Sequence, residues 1–337
     1  MEPSAFVRAL PKVQLHCHLE GTVDAATFRA LAREHGVEIG ARGSGPLETT
    51  YAFASFREFL LTFGDVCRAL ATPGDFARIA AEYARGARAQ NVRYAELFVS
   101  PSVWTYFHRE LDVRAVFRAM RTEFDAAARG GGPEVRLIVD LTRNFGLERA
   151  AATARQAVDL AEFGVIAVGL GGDEANFPPE LYAEPYAFAR AQGLHTVAHA
   201  GEAAGAASVR NAIELLGAER IGHGVRALED DALVEDIVRR GIALEICPTS
   251  NRLTGAVPPG APHPIGDLDR RGVICVIDAD DPALFSTTLE AEYALVEEQL
   301  GAAAVARFAR QAVESSFAPP ELKGKLLLET TSIARNY

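Results

Sequence analysis

The chain has 337 residues, 49% of them hydrophobic, and a formal net charge of −11 at pH 7. That is enough apolar material for a large core and excludes a disordered chain. Lys and Arg are scattered rather than clustered, which argues against a nucleic-acid or anionic-membrane surface and against a polyanionic substrate.

The first segment, MEPSAFVRALPK, has no long apolar core, and no apolar run reaches membrane-spanning length. Eight short apolar, β-branched runs follow, at 13–18, 92–99, 135–141, 165–170, 196–200, 220–222, 242–247 and 273–277. Several are continuous rather than alternating, as expected for parallel strands covered on both faces. Between them lie Ala/Arg/Glu/Leu-rich segments of helical periodicity, among them 76–90, 148–162, 206–216 and 228–240. The alternation predicts an α/β fold, a TIM (β/α)8 barrel, as one domain over 1–337. No linker divides the chain; 40–45 reads as a flexible loop and 258–264 as a rigid one.

The interval between the first run and the second is far longer than one crossover helix needs. It predicts a helical insertion after the first strand, with a stripe of Phe53, Phe56, Leu60 and Phe63. Such a stripe is ordinarily the insertion's own core. It can also form an apolar wall of a pocket, because an insertion there sits at the mouth where barrel active sites lie. The four cysteines, Cys17, Cys67, Cys247 and Cys275, show no CxxC spacing. A zinc ribbon and a disulfide framework are therefore not expected, and a reducing, cytoplasmic location is.

Several runs end in residues that carry chemistry. The first ends in His16-Cys17-His18, where period-two alternation puts both imidazoles on one face and turns Cys17 toward the helix layer. The fourth leads into Gly169-Leu170-Gly171-Gly172-Asp173-Glu174, whose glycines allow close approach of a flat ligand or simply make a tight turn. No lysine stands in that stretch to bridge two metals, which favours a single ion. HTVAHAGE at 195–202 places His199 at a strand end and Glu202 just past the turn at Gly201. His223 ends the sixth run, and Asp280-Asp281 follow the eighth. Only a closed barrel readily brings so many strand ends to one mouth.

His16, His18, His199 and Asp280 make a plausible donor set for one borderline divalent ion, zinc above all. Such an ion lowers the pKa of bound water to about 7. Glu202 and His223 then remain as acid/base groups. Each has a plainer alternative: His223 as a satisfied core histidine, Glu202 as the N-terminal charge of a helix from Ala203 onward. Asp281-Pro282 equally reads as a helix N-cap followed by Pro near N1.

HCHLEGT at 16–22, VRYAELFVSP at 92–101, GGDE at 171–174, HAGE at 199–202, IGHG at 221–224, CPTSN at 247–251 and DADDP at 278–282 together resemble the adenosine deaminase family of metal-dependent aminohydrolases. The pieces occur in the family's order and span most of the chain. The resemblance implies one ion on His16, His18, His199 and Asp280. It implies that Glu202 protonates purine N1, that His223 and Asp280 orient the attacking water and take its proton, and that ammonia leaves C6. It further implies that Asp281 bonds N7, that the Gly172 N–H reaches N3, and that His18 and Glu20 face the substrate, Glu20 toward the ribose 5′ end.

Three departures from the adenosine-specific pattern stand out: Glu20 for Asp, Gly169 for Asp, and Asp278-Ala279 for Asn-Ser or Asn-Thr. The Glu form also occurs in relatives acting on adenine or aminodeoxyfutalosine. The expectation is therefore hydrolytic deamination of a small-molecule 6-aminopurine nucleoside, adenosine in first place, with 5′-modified adenosine, aminodeoxyfutalosine and adenine as alternatives. An amidohydrolase opening a cyclic amide or ester is the rival enzyme. A catalytically dead member acting as a binding protein is the non-enzymatic rival. Nothing in the sequence bears on oligomeric state.

Overall fold

The eight runs become β1 (Lys12–His18), β2 (Val92–Val99), β3 (Glu134–Asp140), β4 (Val165–Gly169), β5 (His195–Ala200), β6 (Arg220–His223), β7 (Ala243–Ile246) and β8 (Ile274–Ile277) in a computed structural model that describes residues 2–335. Neighbouring strands pair in parallel in chain order. Closure falls just past β8, where Cys17 and Asp280 form a bridge. There the His18 N–H donates to the Asp280 carbonyl at 3.0 Å and the Asp280 N–H to the His16 carbonyl at 3.1 Å. The barrel is thus joined by residues that also bear candidate donor atoms, and the (β/α)8 expectation holds.

Side chains fill the lumen in layers. Phe98, Ile138, Ala167 and Val197 meet inside the barrel. Below them Val13, Leu15, Tyr94, Ala243 and Val276 rest on Ala312 and Val313 of the helix Ala302–Ser315 and on Leu326 of the helix Pro320–Ala334. These two C-terminal helices close the barrel floor.

The first strand does not keep strict alternation. Val13 and Leu15 face the lumen, whereas Gln14 accepts from Tyr83 Oη of the helix Pro73–Ala89, on the outside, at 2.8 Å. Continued unbroken, that phase would send Cys17 inward and His16 and His18 out. The pairing with β2 shifts register between Gln14 and Cys17. That irregularity re-aims the strand, so the two imidazoles enter the lumen and Cys17 packs outward with the helix-layer core, as expected of it.

The insertion after β1 is helical, with helices Ala25–Glu34, Phe56–Ala69 and Pro73–Ala89. Segment 40–45 is not wholly irregular: Gly40–Gly43 form a 3-10 turn. The predicted helices at 148–162 and 228–240 each divide into an α-helix and a 3-10 turn, Gly146–Asp159 with Ala161–Phe163 and Val225–Glu229 with Asp231–Arg240. Segment 258–264 holds no helix or strand. Phe53, Phe56, Leu60 and Phe63 pack against the main core, and the Phe63 ring lies 5.8 Å from that of His18, edge to face. The stripe is thus insertion core, and Phe63 at its end also borders the site. All four cysteines are free and buried. Among the described residues no helix is long and apolar enough to cross a membrane.

Candidate active site

Residues at or just past the C-terminal ends of four strands, β1, β5, β6 and β8, meet in one buried cluster at the barrel mouth. The Nε2 atoms of His18 and His199 stand 3.1 Å apart. Asp280 Oδ1 lies 3.4 Å from His16 Nε2 and 3.5 Å from His18 Nε2. Candidate donor atoms of His16, His199, His223 and Asp280 all fall within 4.8 Å of one another, as do those of His18, Asp280 and Asp281. The four residues expected to hold an ion are therefore brought together, with His223 at the same centre.

The donor chemistry fits a divalent cation. Burial holds His199 well below the usual imidazole range, with His16, His18 and His223 adding to the effect. Burial likewise takes His18 down to about 4 and His223 to about 3. Burial would raise Asp280, but the close approach of His16 Nε2 and the charges of His223, His16 and His18 hold it well below the carboxylate range. For His16 burial is outweighed by Asp280 and Glu245, and the ring is pushed well above its ordinary value. Neutral imidazoles beside an ionised carboxylate are the form a metal requires. Nε2 of His16 faces Asp280, so a cation held between them would displace its proton. His16 Nε2 and His223 Nε2 are buried without hydrogen-bond partners.

Two backbone positions are strained where the strands end. His223 has φ 62° and Asp280 φ 60°, left-handed values unusual for non-glycine residues. Those turns direct both side chains inward. His223 is not a satisfied core histidine: Asn251 Nδ2 lies 2.9 Å from its Nδ1, while its Nε2 stands 3.5 Å from Glu202 Oε2 and 3.9 Å from Asp280 Oδ2. Glu202 does not begin a helix either, since the next one is Ala206–Glu214, capped by Gly205. Asp281 caps no helix: residues 282–286 form turns, and the following helix, Leu289–Leu300, is capped by Thr288. Asp281 Oδ1 is instead buried and unpartnered. It leaves no room for a Cβ at Gly21, which would lie 1.9 Å away.

Burial raises Glu202 to about 8, helped by the charges of Asp280 and Glu174, and raises Asp281 well above the carboxylate range, helped by Asp280. Glu20 sits fully buried, with Oε1 accepting from the Ser100 N–H at 2.8 Å and from Trp104 Nε1 at 2.7 Å. Gly172 has φ +99°, and a Cβ there would meet Asn144 Oδ1 at 2.3 Å, so only glycine fits. The space at Gly169 is taken by Phe98, 2.6 Å from where a Cβ would be. That ring stacks on His18 at 4.9 Å and borders His16 and His199.

Several supporting residues carried no assigned role in the sequence reading. Glu245 Oε2 lies 2.8 Å from His16 Nδ1 and orients that ring. Arg220 donates to Glu245 through Nε and to Glu96 through Nη2, both at 2.6 Å. Glu174 accepts the N–H groups of Gly201, Glu202, Ala203 and Ala204 at 2.7–3.1 Å and thereby fixes the loop that carries Glu202. Ser250 Oγ donates to Asp280 Oδ2 at 2.7 Å. A signal for the charged members was present: Glu96, Arg220 and Glu245 are ionisable residues on otherwise apolar strands, which must find partners once the barrel buries them.

Gly222 tests how tightly the ring of His16 is held. A Cβ added there would lie 2.5 Å from His16 Cε1. Gly222→Ala is expected to displace the ring and lower bound metal well below that of the wild type. Full metal content by elemental mass spectrometry would contradict this.

The family model described as adenosine deaminase matches residues 11–332. An adenine deaminase of Rhodospirillum rubrum is 35% identical over 324 residues, 96% of each chain. An aminodeoxyfutalosine deaminase of Streptomyces coelicolor is 37% identical over 317 residues, 93% of this chain and 81% of the other. The crystal structure of an amidohydrolase from Burkholderia ambifaria, with bound Zn, superposes with TM-score 0.87 at 28% identity, covering 100% of this chain and 96% of that one. With donors, acid and fold in the arrangement described above, the chain belongs to the adenosine deaminase family and is a metal-dependent hydrolytic deaminase.

Proposed function

We propose that the protein converts a 6-aminopurine to the 6-oxopurine and ammonia, with adenine, the free base, ahead of adenosine as substrate. The observation that carries the chemistry is the pairing of a protonatable Glu202 with a neutral His223, 3.5 Å apart, against the donor set. The order of substrates is supported by the adenine deaminase related over 96% of both chains and by Glu20 in place of Asp. The aminodeoxyfutalosine deaminase relative supports a second reading, a nucleoside with a bulky 5′ group.

His16, His18, His199 and Asp280 would hold one ion, zinc foremost given the zinc-bound neighbour, and the ion when bound supplies a water activated for attack at neutral pH. The chain's own groups do the rest. Glu202, kept protonated by burial, donates to ring N1 and makes C6 more electrophilic. With Asn251 Nδ2 donating to Nδ1, neutral His223 carries its proton on Nε2, so it donates to and orients the attacking water while Asp280 takes the water's proton. Asp281, also kept protonated, donates to the N7 lone pair. The Gly172 N–H is assigned to N3, with Glu20 and His18 along the rest of the ring. We also read the chain as one catalytic domain and place it in the cytoplasm, on the strength of four unpaired cysteines.

The test is metal analysis together with ammonia release from adenine, adenosine, 5′-methylthioadenosine and aminodeoxyfutalosine side by side. Chelation should abolish turnover and zinc should restore it. Metal-loaded protein that leaves all four compounds untouched would point instead to a binding protein.

A further inference from the structure

One side of the barrel mouth is not used by the chemistry at C6. Ile138 lies in the lumen with Phe98, Ala167 and Val197. Period-two alternation therefore turns Asp140, two residues on at the end of β3, into the same lumen at the mouth. Its carboxyl lies against Gly171, where a Cβ would be 3.1 Å from Oδ2 and 3.2 Å from Oδ1. Asp140 Oδ2 accepts from Thr142 Oγ1 at 3.1 Å, and Thr142 Oγ1 accepts in turn from Ser102 Oγ at 2.9 Å. Oδ1 is buried and has no partner, on a residue 3% exposed.

Glu20 offers the same thing from the end of β1. Its Oε1 is held by Ser100 and Trp104, while Oε2 is buried and unpartnered. The segment from Ser100 to Trp104 joins the two: Ser100 and Trp104 donate to Glu20, and Ser102 between them donates to Thr142, which donates to Asp140. The nearby cation, Arg143, donates through Nη1 and Nη2 to the carbonyls of Phe177 and His199, which leaves only its Nε unpartnered. Bare buried carboxyl oxygens are unfavourable until a donor reaches them.

We propose that Asp140 and Glu20 form a donor-seeking subsite at the ring edge next to Gly171 and Gly172. It takes the ring N–H of a free purine base or a hydroxyl of a neutral nucleoside, and it rejects substrates that bring a phosphate or carboxylate there. The inference rests on the purine deaminase reading and sharpens its substrate class. Asp140 is the residue that decides specificity, because two buried carboxyls facing an anion leave it without a donor or a countercharge.

Asp140→Asn separates recognition from scaffolding. The amide oxygen can still accept from Thr142, so a structural role survives, whereas the other atom changes from acceptor to donor. KM for adenine, or for whichever neutral substrate is best, should rise at least about tenfold, with a smaller loss in kcat. The ratio of kcat/KM for adenosine 5′-monophosphate to that for the neutral substrate should rise by at least about tenfold too. Metal content and melting temperature should match the wild type. Asp140→Ser, which only removes the acceptor, should raise KM without helping the nucleotide as much. Should either variant unfold, competition on the wild type decides: the nucleotide should inhibit with a Ki at least about tenfold above the KM for the neutral substrate. An unchanged KM and substrate ratio in a folded Asp140→Asn enzyme overturns the subsite alone, as does wild-type turnover of the nucleotide equal to that of the neutral substrate. Absence of ammonia from every aminopurine overturns the deaminase reading, and the subsite with it.

Discussion

Glu202→Gln is expected to lower kcat by at least about 100-fold, the usual scale for a missing general acid, while metal content stays at the wild-type level. The amide keeps the shape, and Glu174 still holds the loop through the backbone N–H groups of Gly201 to Ala204. What disappears is the transferable proton. Glu202 is useful in its protonated form, which burial maintains up to about pH 8. Activity that depends on it is therefore present below that pKa and lost as pH rises through it. A bound cation lowers the pKa of a neighbouring acid, so the alkaline limb of kcat/KM should fall at or below about pH 8. Steady-state kinetics of the variant beside elemental analysis checks the claim. Turnover within a few-fold of wild type would remove Glu202 from the mechanism.

Arg220→Met is expected to destabilise the fold by about 3–5 kcal/mol, the scale for breaking a buried ion pair from one side. Arg220, Glu96 and Glu245 are at most 2% exposed, and the guanidinium bridges both carboxylates at 2.6 Å. Arg220 also stacks on the Phe317 ring at 4.0 Å and donates to the Ser315 carbonyl at 3.1 Å, which ties the barrel floor to the C-terminal segment. Removing it leaves two carboxylates facing one another in the lumen. Arg220→Lys should not rescue, because an ammonium cannot span both partners as a planar fork does. Glu245 would also lose the charge that keeps it ionised for His16, so metal affinity should fall in parallel. Urea unfolding gives the free energy, and a loss under about 1 kcal/mol would show that the triad is not needed for stability.

The order of strands and the acid/base inventory were readable because each motif combines a chemical residue type with the end of an apolar run. His16, His18, His199, His223, Glu202 and Asp280 meet as that reading expected. What escaped it depended on contacts distant in the chain. Glu245 acts on His16 across 229 positions, and Arg220 reaches Glu96 across 124. Asp140 reads as an ordinary polar end to an apolar run until its neighbours show that one oxygen has no donor. The helix-cap readings of Glu202 and Asp281 failed for the same reason. Local preference for Asp or Glu before a helix is worth about 1 kcal/mol, and the geometry of the mouth overrides it.

By itself the sequence determined the barrel and the residues that could meet an ion, because hydrophobic periodicity and residue type are local properties, while the chemical class came from the resemblance of its motifs to the adenosine deaminase family. The tertiary structure alone decided which way those residues face. A register shift between Gln14 and Cys17 turns two histidines inward, and left-handed turns at His223 and Asp280 do the same for their side chains. Such choices come from pairing with neighbouring strands, whose identity no short stretch of chain contains.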